Sequence, residues 1–179
     1  KLDEFKAQIE LSNLGGHGVL EGTYVDVRNG ADCSGWFGAY DLGNNFNYAH
    51  SDARFQEAMT YFFGDRYRNH LNAAGYLQPT SPVKIYAHCG SEDNAYFIRG
   101  TDVTGALVEF VCLGDSVATQ GASYSDDSMV TIHELQHATT VDTYSLTQDL
   151  GGFWFDEAGS LNEAISDFMA LAYLSPGLP

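Results

Sequence analysis

Two histidines four residues apart, His133 and His137, are the side chains of this sequence best placed to do chemistry. On a helix, residues at i and i+4 lie on one face, so both imidazoles can point at a single metal ion. Glu134 follows the first histidine and is turned about 100° around the helix. From there its carboxylate can reach a zinc-bound water and take its proton as a general base. Residues 133–137 therefore predict a catalytic zinc site.

The flanks of this motif favour a buried helix over a solvated one. They are apolar at Val130, Ile132, Leu135 and Ala138, where an exposed helix would carry charges. The motif alone arises by chance in roughly one in a few hundred chains of this length. The apolar flanks make an accidental cluster on a solvated helix the weaker alternative.

A catalytic zinc needs a third protein ligand and an open fourth position. Glu163 lies 26 residues after His137 (163 − 137) on a separate predicted helix that could pack beside the first. Asp167, one helical turn further, is on the same face as Glu163 and can orient a histidine ligand through the ring N–H that does not face the metal. The alternative is that both are ordinary surface acids.

The hydrophobic pattern predicts an α+β fold. Residues 1–51 are rich in Gly, Asn and Asp between short apolar alternations, of which residues 18–27 are the clearest, and they read as a β-rich segment. Ser51 or Asp52 can cap a long helix that ends near Gly75. Residues 52–179 then form the predicted catalytic core.

Three β-like runs, two helices and a loop make up the rest of this core. The runs at 83–87, 96–99 and 106–113 suggest a small, mostly antiparallel sheet, and residues 114–125 read as a loop. The zinc helix is expected to run to about Val141, and a last helix from Leu161 to about Leu174.

Charge and cysteine content exclude several classes. The net charge of −16 repels nucleic acid and anionic membranes, and no apolar run approaches the roughly 20 residues of a membrane span. The three cysteines match no zinc-ribbon spacing. Cys89 and Cys112 can form a disulfide if their β-like runs are neighbours, which leaves Cys33 unpaired or bonded to another chain. The remaining histidines have no partner at metal spacing and are expected at the surface or in satisfied core positions: His17, His50, His70 and His88.

At the residues described above, the sequence resembles the thermolysin-like and fungalysin-like zinc metallopeptidases, a zincin fold. Residues 159–167 (Gly-Ser-Leu-Asn-Glu-Ala-Ile-Ser-Asp) are similar almost position for position to the glutamate-ligand helix of that family. The resemblance implies a zinc endopeptidase with Glu163 as third ligand, Asp167 supporting His133, and Glu134 as base. It is strongest from about residue 52 to 167.

Two further matches imply how a peptide or protein substrate is bound. Residues 94–97 (Asn-Ala-Tyr-Phe) resemble the family's edge strand, where the backbone around Ala95 pairs with an extended substrate and Asn94 holds a substrate amide or carbonyl. Val130 aligns with a residue that lines the pocket for the apolar side chain after the scissile bond. The alternatives are a turn residue for Asn94 and plain core for Val130.

The departures from the family pattern concern calcium and a second domain. Met129 stands where a calcium-binding carboxylate is expected, although Asp126 and Asp127 are close, so the ligand pattern does not support calcium. The family has a C-terminal helical domain with a further catalytic histidine, which does not follow in these 179 residues. The resemblance also implies secretion to the extracellular space.

Three hypotheses follow. The first is a secreted zinc endopeptidase, of which these residues are the metal-bearing part. The second is a zinc-containing module that binds peptides without cleaving them, or an inactive half that needs a C-terminal partner. The third, a closed structural zinc site, is the weakest, because no fourth Cys or His ligand is placed for it.

Overall fold

A computed structural model describes residues 8–30, 38–76, 81–91, 93–115, 123–144 and 157–175. Within these ranges the chain forms four strands and three α-helices: β1 (Val25–Asn29), α1 (Ala53–Ala73), β2 (Val83–Ala87), β3 (Ala95–Thr101), β4 (Leu107–Leu113), α2 (Ser128–Tyr144) and α3 (Glu157–Leu174). The predicted α+β class is confirmed. In the described part of residues 1–51 there is one strand, β1, together with isolated bridges such as Leu14 with Gly22.

The four strands form one sheet in the order β1-β2-β4-β3. Strands β1 and β2, and β2 and β4, pair in parallel, whereas β3 and β4 pair antiparallel. The predicted mostly antiparallel sheet is therefore wrong: the sheet is mixed. Strands β1 and β2 are parallel because the helical crossover through α1 returns the chain in the same direction. Strands β2 and β4 are parallel because β3, which reverses the chain, lies outside β4 and not between them. Local hydrophobic alternation carries no information on strand direction.

Helix α1 begins and ends where its sequence predicts. The Asp52 side chain accepts a hydrogen bond from the Arg54 main-chain N–H, and the helix is followed by Gly75 in a left-handed conformation, φ +84°. Gly64 lies midway along it. A Cβ at Gly64 would be 3.1 Å from Leu135 of α2 and 3.3 Å from Val25 of β1, so the missing side chain lets α1 lie close to both elements.

Helix α2 runs through the centre of the molecule, in contact with α1, β3 and α3. Its apolar residues Ile132, Leu135 and Ala138 are completely buried, as the flanks of the motif predict. The Asp127 carboxylate accepts from the Met129 N–H at 2.8 Å and caps its first turn. The helix continues to Tyr144, a few residues beyond the predicted end.

Helix α3 begins at Glu157, four residues before the predicted start at Leu161. Gly159 and Ser160, which favour a helix boundary, lie inside the helix because its packing against α2 outweighs their low helix propensity.

Cys89 and Cys112 form a disulfide between the end of β2 and β4, which confirms that prediction, and Cys33 lies outside the described residues. In the ranges given above, none of the helices has both the length and the apolar character needed to cross a membrane.

Candidate metal centre

The two histidines of the motif face each other across one turn of α2. Their Nε2 atoms are 3.0 Å apart, with ring planes at 82°. His137 is buried, and His133 keeps 17% of its side chain exposed. The pair therefore lies at the rim of the core, where one side of the site is open to solvent.

Glu163 reaches the same point from α3. Its Oε2 is 3.1 Å from His133 Nε2, and its Oε1 is 3.5 Å from His137 Nε2. The candidate ligand atoms of these three residues all lie within 4.8 Å of one another. The structure thus brings together the three side chains that were predicted as ligands, two from one helix and one from its neighbour.

Each imidazole is held from behind through its other nitrogen. Asp167 Oδ1 lies 2.9 Å from His133 Nδ1, which is the contact expected for that residue. Ser166 Oγ lies 3.1 Å from His137 Nδ1, and Ser166 is completely buried. The role of Ser166 was missed, although the signal was available: it lies three residues after Glu163, so it shares that face of α3.

The hydrogen bonds of this cluster allow both imidazoles to direct an Nε2 lone pair at one position. A carboxylate cannot donate, so the Asp167 contact requires the proton of neutral His133 to be on Nδ1, which leaves a lone pair on Nε2. The Ser166 hydroxyl can donate or accept. When it accepts the His137 proton from Nδ1, both Nε2 lone pairs point toward each other and toward the Glu163 carboxylate. Burial also lowers the pKa of His137, which disfavours protonation of that ring. In this tautomeric state three acceptors converge without a donor.

A metal ion resolves this arrangement, and the donor set fits zinc. Atoms bound tetrahedrally at about 2.0–2.2 Å from one ion lie about 3.3–3.6 Å apart, close to the observed separations of 3.0, 3.1 and 3.5 Å. Two imidazoles and one carboxylate are a known catalytic zinc set. Among the described residues, the group contains no fourth His, Cys, Asp or Glu.

Glu134 is 6% exposed and lies between α2 and the edge strand β3. Burial, reinforced by the charge of Glu163, raises the pKa of Glu134 to about 8, while a hydrogen bond from the Phe97 main-chain N–H acts in the opposite direction. The carboxyl group can therefore hold or release a proton near neutral pH. It is fixed next to the metal-binding residues without being one of the three converging ligands.

The three residues predicted to contact substrate lie on different elements. Asn94 is exposed and precedes β3, its main-chain carbonyl accepting from the Gly114 N–H at 3.1 Å. Ala95 is the first residue of β3. Val130 is partly buried and packs against the core cluster. Their roles in substrate binding remain predictions.

The two acids close to the expected calcium position are engaged elsewhere. Asp126 accepts from the Gln56 side chain at 2.6 Å, and Asp127 caps α2. The sequence-based expectation about calcium remains a prediction.

No protein-family model matches the chain, and no curated protein matches it either. The assignment of a function therefore depends on the site itself.

Proposed function

We propose that this protein is a zinc-dependent endopeptidase that hydrolyses peptide bonds. The observation that carries the proposal is the convergence of His133 Nε2, His137 Nε2 and the Glu163 carboxylate within 4.8 Å, with a buried carboxyl group, Glu134, next to them in the chain. This combination supplies metal ligands and a general base in one place.

His133, His137 and Glu163 would hold the zinc ion. When bound, zinc supplies Lewis-acid chemistry, acidifying a water molecule and polarising a carbonyl oxygen. Asp167 and Ser166 orient the two imidazoles by fixing their Nδ1 atoms, so that the Nε2 lone pairs point at one position. Glu163 is 45% exposed, which leaves that side open to solvent and to a substrate.

Glu134 acts as the proton carrier. Its carboxylate takes a proton from the attacking water and then delivers it to the amine that leaves when the peptide bond breaks. The Phe97 N–H holds this carboxylate against β3, so the base and the strand that would receive the substrate are in direct contact.

The substrate is proposed to be an extended peptide that adds to the outer edge of β3. Among the residues that the structure describes, this strand pairs with β4 alone, so the other edge at its start can accept a further strand. Asn94 and Ala95 at its start would contact the peptide, and Val130 would adjoin an apolar side chain. The Cys89–Cys112 disulfide supports a secreted, extracellular protein, because disulfides persist in oxidising compartments.

The test measures bound zinc and peptide hydrolysis for the wild type and for Glu134→Gln. The variant keeps the shape of the side chain but cannot carry the proton, so we expect equal zinc content and about 10²- to 10⁴-fold slower hydrolysis. Glu157→Gln, at the exposed start of α3, is the matched control and should behave as the wild type. Equal hydrolysis rates for the zinc-bound wild type and the zinc-bound Glu134→Gln variant would overturn the role of Glu134.

A second candidate is a zinc-containing half that binds peptides and needs a C-terminal partner to cleave them. It is favoured by the exposed apolar side chains of α3, namely Leu161, Phe168 and Leu171, which are 53%, 68% and 49% exposed. Saturable peptide binding by the zinc-loaded chain without any turnover would support this function. Turnover that depends on Glu134 would exclude it.

A further inference from the structure

The turn that connects β2 to β3, called here the β2–β3 turn, is described at residues 88–91, 93 and 94, and two of these residues are left-handed. His88 has φ +56° and Gly90 has φ +80°. Glycine adopts such a conformation at little cost, whereas for histidine it is uncommon. His88 keeps it because both of its ring nitrogens are bound: Nδ1 lies 2.9 Å from the Asp115 carboxylate, and Nε2 lies 3.1 Å from the main-chain oxygen of Ala53.

The main chain of this turn is also fixed to the segment that follows β4. Cys89 N–H donates to the Leu113 carbonyl at 2.9 Å, and Asp115 N–H donates to the Gly90 carbonyl at 2.9 Å. Gly114 N–H donates to the Asn94 carbonyl at 3.1 Å. These bonds define the position at which β3 begins.

The disulfide adds a covalent restraint at the same place. It joins Cys89 in the turn to Cys112 in β4, and Cys112 pairs across the sheet with Tyr96 of β3. The next residue of β3 is Phe97, whose N–H donates to Glu134. The restraint therefore lies one residue pair away from the contact that holds the base.

The metal-binding atoms, in contrast, come from α2 and α3. His133 and His137 lie on α2 and Glu163 on α3, and their supports Ser166 and Asp167 are also on α3. Neither helix contributes a cysteine to the disulfide. Loosening the β2–β3 turn should thus disturb the substrate edge and the base while the three ligands stay in place.

We propose that the Cys89–Cys112 disulfide, together with His88, positions the edge of β3 for peptide binding, so that reducing the disulfide weakens substrate use without releasing the metal. These are positioning residues, because they act through β3 and do not touch the reacting atoms. The inference rests on the proposed peptidase function. Substrate binding would then depend on whether the Cys89–Cys112 disulfide is oxidised or reduced.

The reductant is a water-soluble phosphine. It breaks the S–S bond with one water molecule: the phosphine gains the oxygen and becomes a phosphine oxide, and the two sulfurs each gain a proton as thiols. The phosphorus is oxidised by two electrons and the disulfide is reduced by the same two. All measurements use a Cys33→Ser variant, in which the third cysteine cannot exchange with the Cys89–Cys112 disulfide.

The experiment compares the zinc-loaded Cys33→Ser protein before and after reduction, with zinc content, KM and kcat measured on the same samples. We expect unchanged zinc content and a roughly 10- to 100-fold loss of kcat/KM, mainly through a higher KM. Cys33→Ser/Cys89→Ser/Cys112→Ser should match the reduced protein and should not respond to the phosphine. His88→Asn, which tolerates the left-handed backbone, should show a smaller rise in KM than His88→Ala.

Hydrogen exchange of the β3 amides gives a readout that does not need activity. Reduction should speed the exchange of β3 relative to α2. If the oxidised protein hydrolyses no peptide, the proposed function fails, while the exchange rates of the β3 amides still decide the positioning role.

The disulfide of the reduced sample is shown to be broken by mass spectrometry. A KM or a β3 exchange rate equal to that of the oxidised protein would then overturn the inference. Loss of zinc in parallel with the loss of activity would also overturn it.

Discussion

His88 and the pair His133 and His137 place the same ring in two opposite situations. The Nδ1 of His88 faces the Asp115 carboxylate at 2.9 Å and its Nε2 faces the Ala53 carbonyl at 3.1 Å, so each nitrogen meets an acceptor of the protein. The pair is also held at Nδ1, by Asp167 and Ser166, but the two Nε2 atoms face each other at 3.0 Å with the Glu163 carboxylate beside them.

The difference lies in what each arrangement lacks. Both ring nitrogens of His88 face acceptors supplied by the protein, so no further ligand is needed. At the pair, the two Nε2 atoms face each other and the Glu163 carboxylate, so with both protons on Nδ1 acceptor lies against acceptor. A buried ring whose nitrogens do not all face a hydrogen-bond partner of opposite kind is therefore the better sign of a ligand site. A buried ring with such a partner at every nitrogen is the better sign of a structural role.

The largest expected effect comes from the same substitution at the two positions. His137→Asn should weaken zinc binding by about 100-fold or more, because roughly 10–16 kcal/mol of zinc binding is shared among about four ligands. His88→Asn should leave zinc affinity unchanged and lower the free energy of unfolding by about 0.5–1.5 kcal/mol, because the contact with Asp115 or with Ala53 is lost. Titration with a competing chelator measures the first quantity and urea unfolding of the metal-free chain measures the second.

The His137→Asn and His88→Asn variants serve as controls for each other, since both replace a histidine with an asparagine. In the metal-free state, His137→Asn should cost less stability than His88→Asn, because it removes one of three converging acceptors. The comparison breaks if His88→Asn loses zinc as readily as His137→Asn, or if the metal-free His137→Asn protein is the less stable one.

A smaller effect is expected at the two residues that orient the ligands. Asp167→Ala should weaken zinc binding by about 10- to 100-fold, the usual effect of losing a carboxylate behind a histidine ligand. Ser166→Ala should lie at or below the lower end of that range, because a hydroxyl is a weaker acceptor than a carboxylate. Asp167→Asn keeps an acceptor and should fall between them. Zinc affinities in the reverse order would show that Asp167, 73% exposed, does not orient His133.

The sequence predicts local features of the fold better than pairings between distant segments. The cap at Asp52 and the left-handed stop at Gly75 are short-range signals, and both ends of α1 follow from them. Strand direction depends on how distant segments pair, and the prediction of a mostly antiparallel sheet was wrong for that reason. The predicted start of α3 was too late, because Gly159 and Ser160 locally favour a helix boundary whereas the packing of α3 against α2 is a tertiary effect.

More of the candidate site than of the sheet could be predicted from the sequence, because helical spacing determines which side chains share a face. His133 with His137, and Glu163 with Asp167, each share a face by being four residues apart. That the two faces oppose each other required the resemblance to a known helix. The second support, Ser166, followed from the same spacing but was given no role, and the Phe97 contact with Glu134 depends on tertiary packing that no spacing encodes.

The smallest expected effect concerns a third buried group, Asp65, whose hydrogen-bond partner among the described residues is the Asn13 amide. It is 1% exposed, and Asn13 Nδ2 donates to its two oxygens at 3.1 and 3.0 Å. Burial raises the pKa of Asp65 to about 6 from its ordinary 3.8, against the lowering effect of Asn13. The folded state thus binds this proton more tightly than the unfolded chain, so its contribution to stability is complete below about pH 4 and is lost as the pH rises through about 6.

Asp65→Asn should therefore flatten the pH dependence of stability in that window. Between pH 4 and 7, the free energy of unfolding of the metal-free wild type should fall by about 1–2 kcal/mol more than that of the variant. Asp102→Asn is the matched control: this exposed turn acid has a pKa lowered by hydrogen bonds from Thr104, so its variant should follow the wild type above pH 4. Parallel curves for wild type and Asp65→Asn would show that the Asn13 amide alone satisfies the buried carboxylate, as the two acceptors satisfy His88.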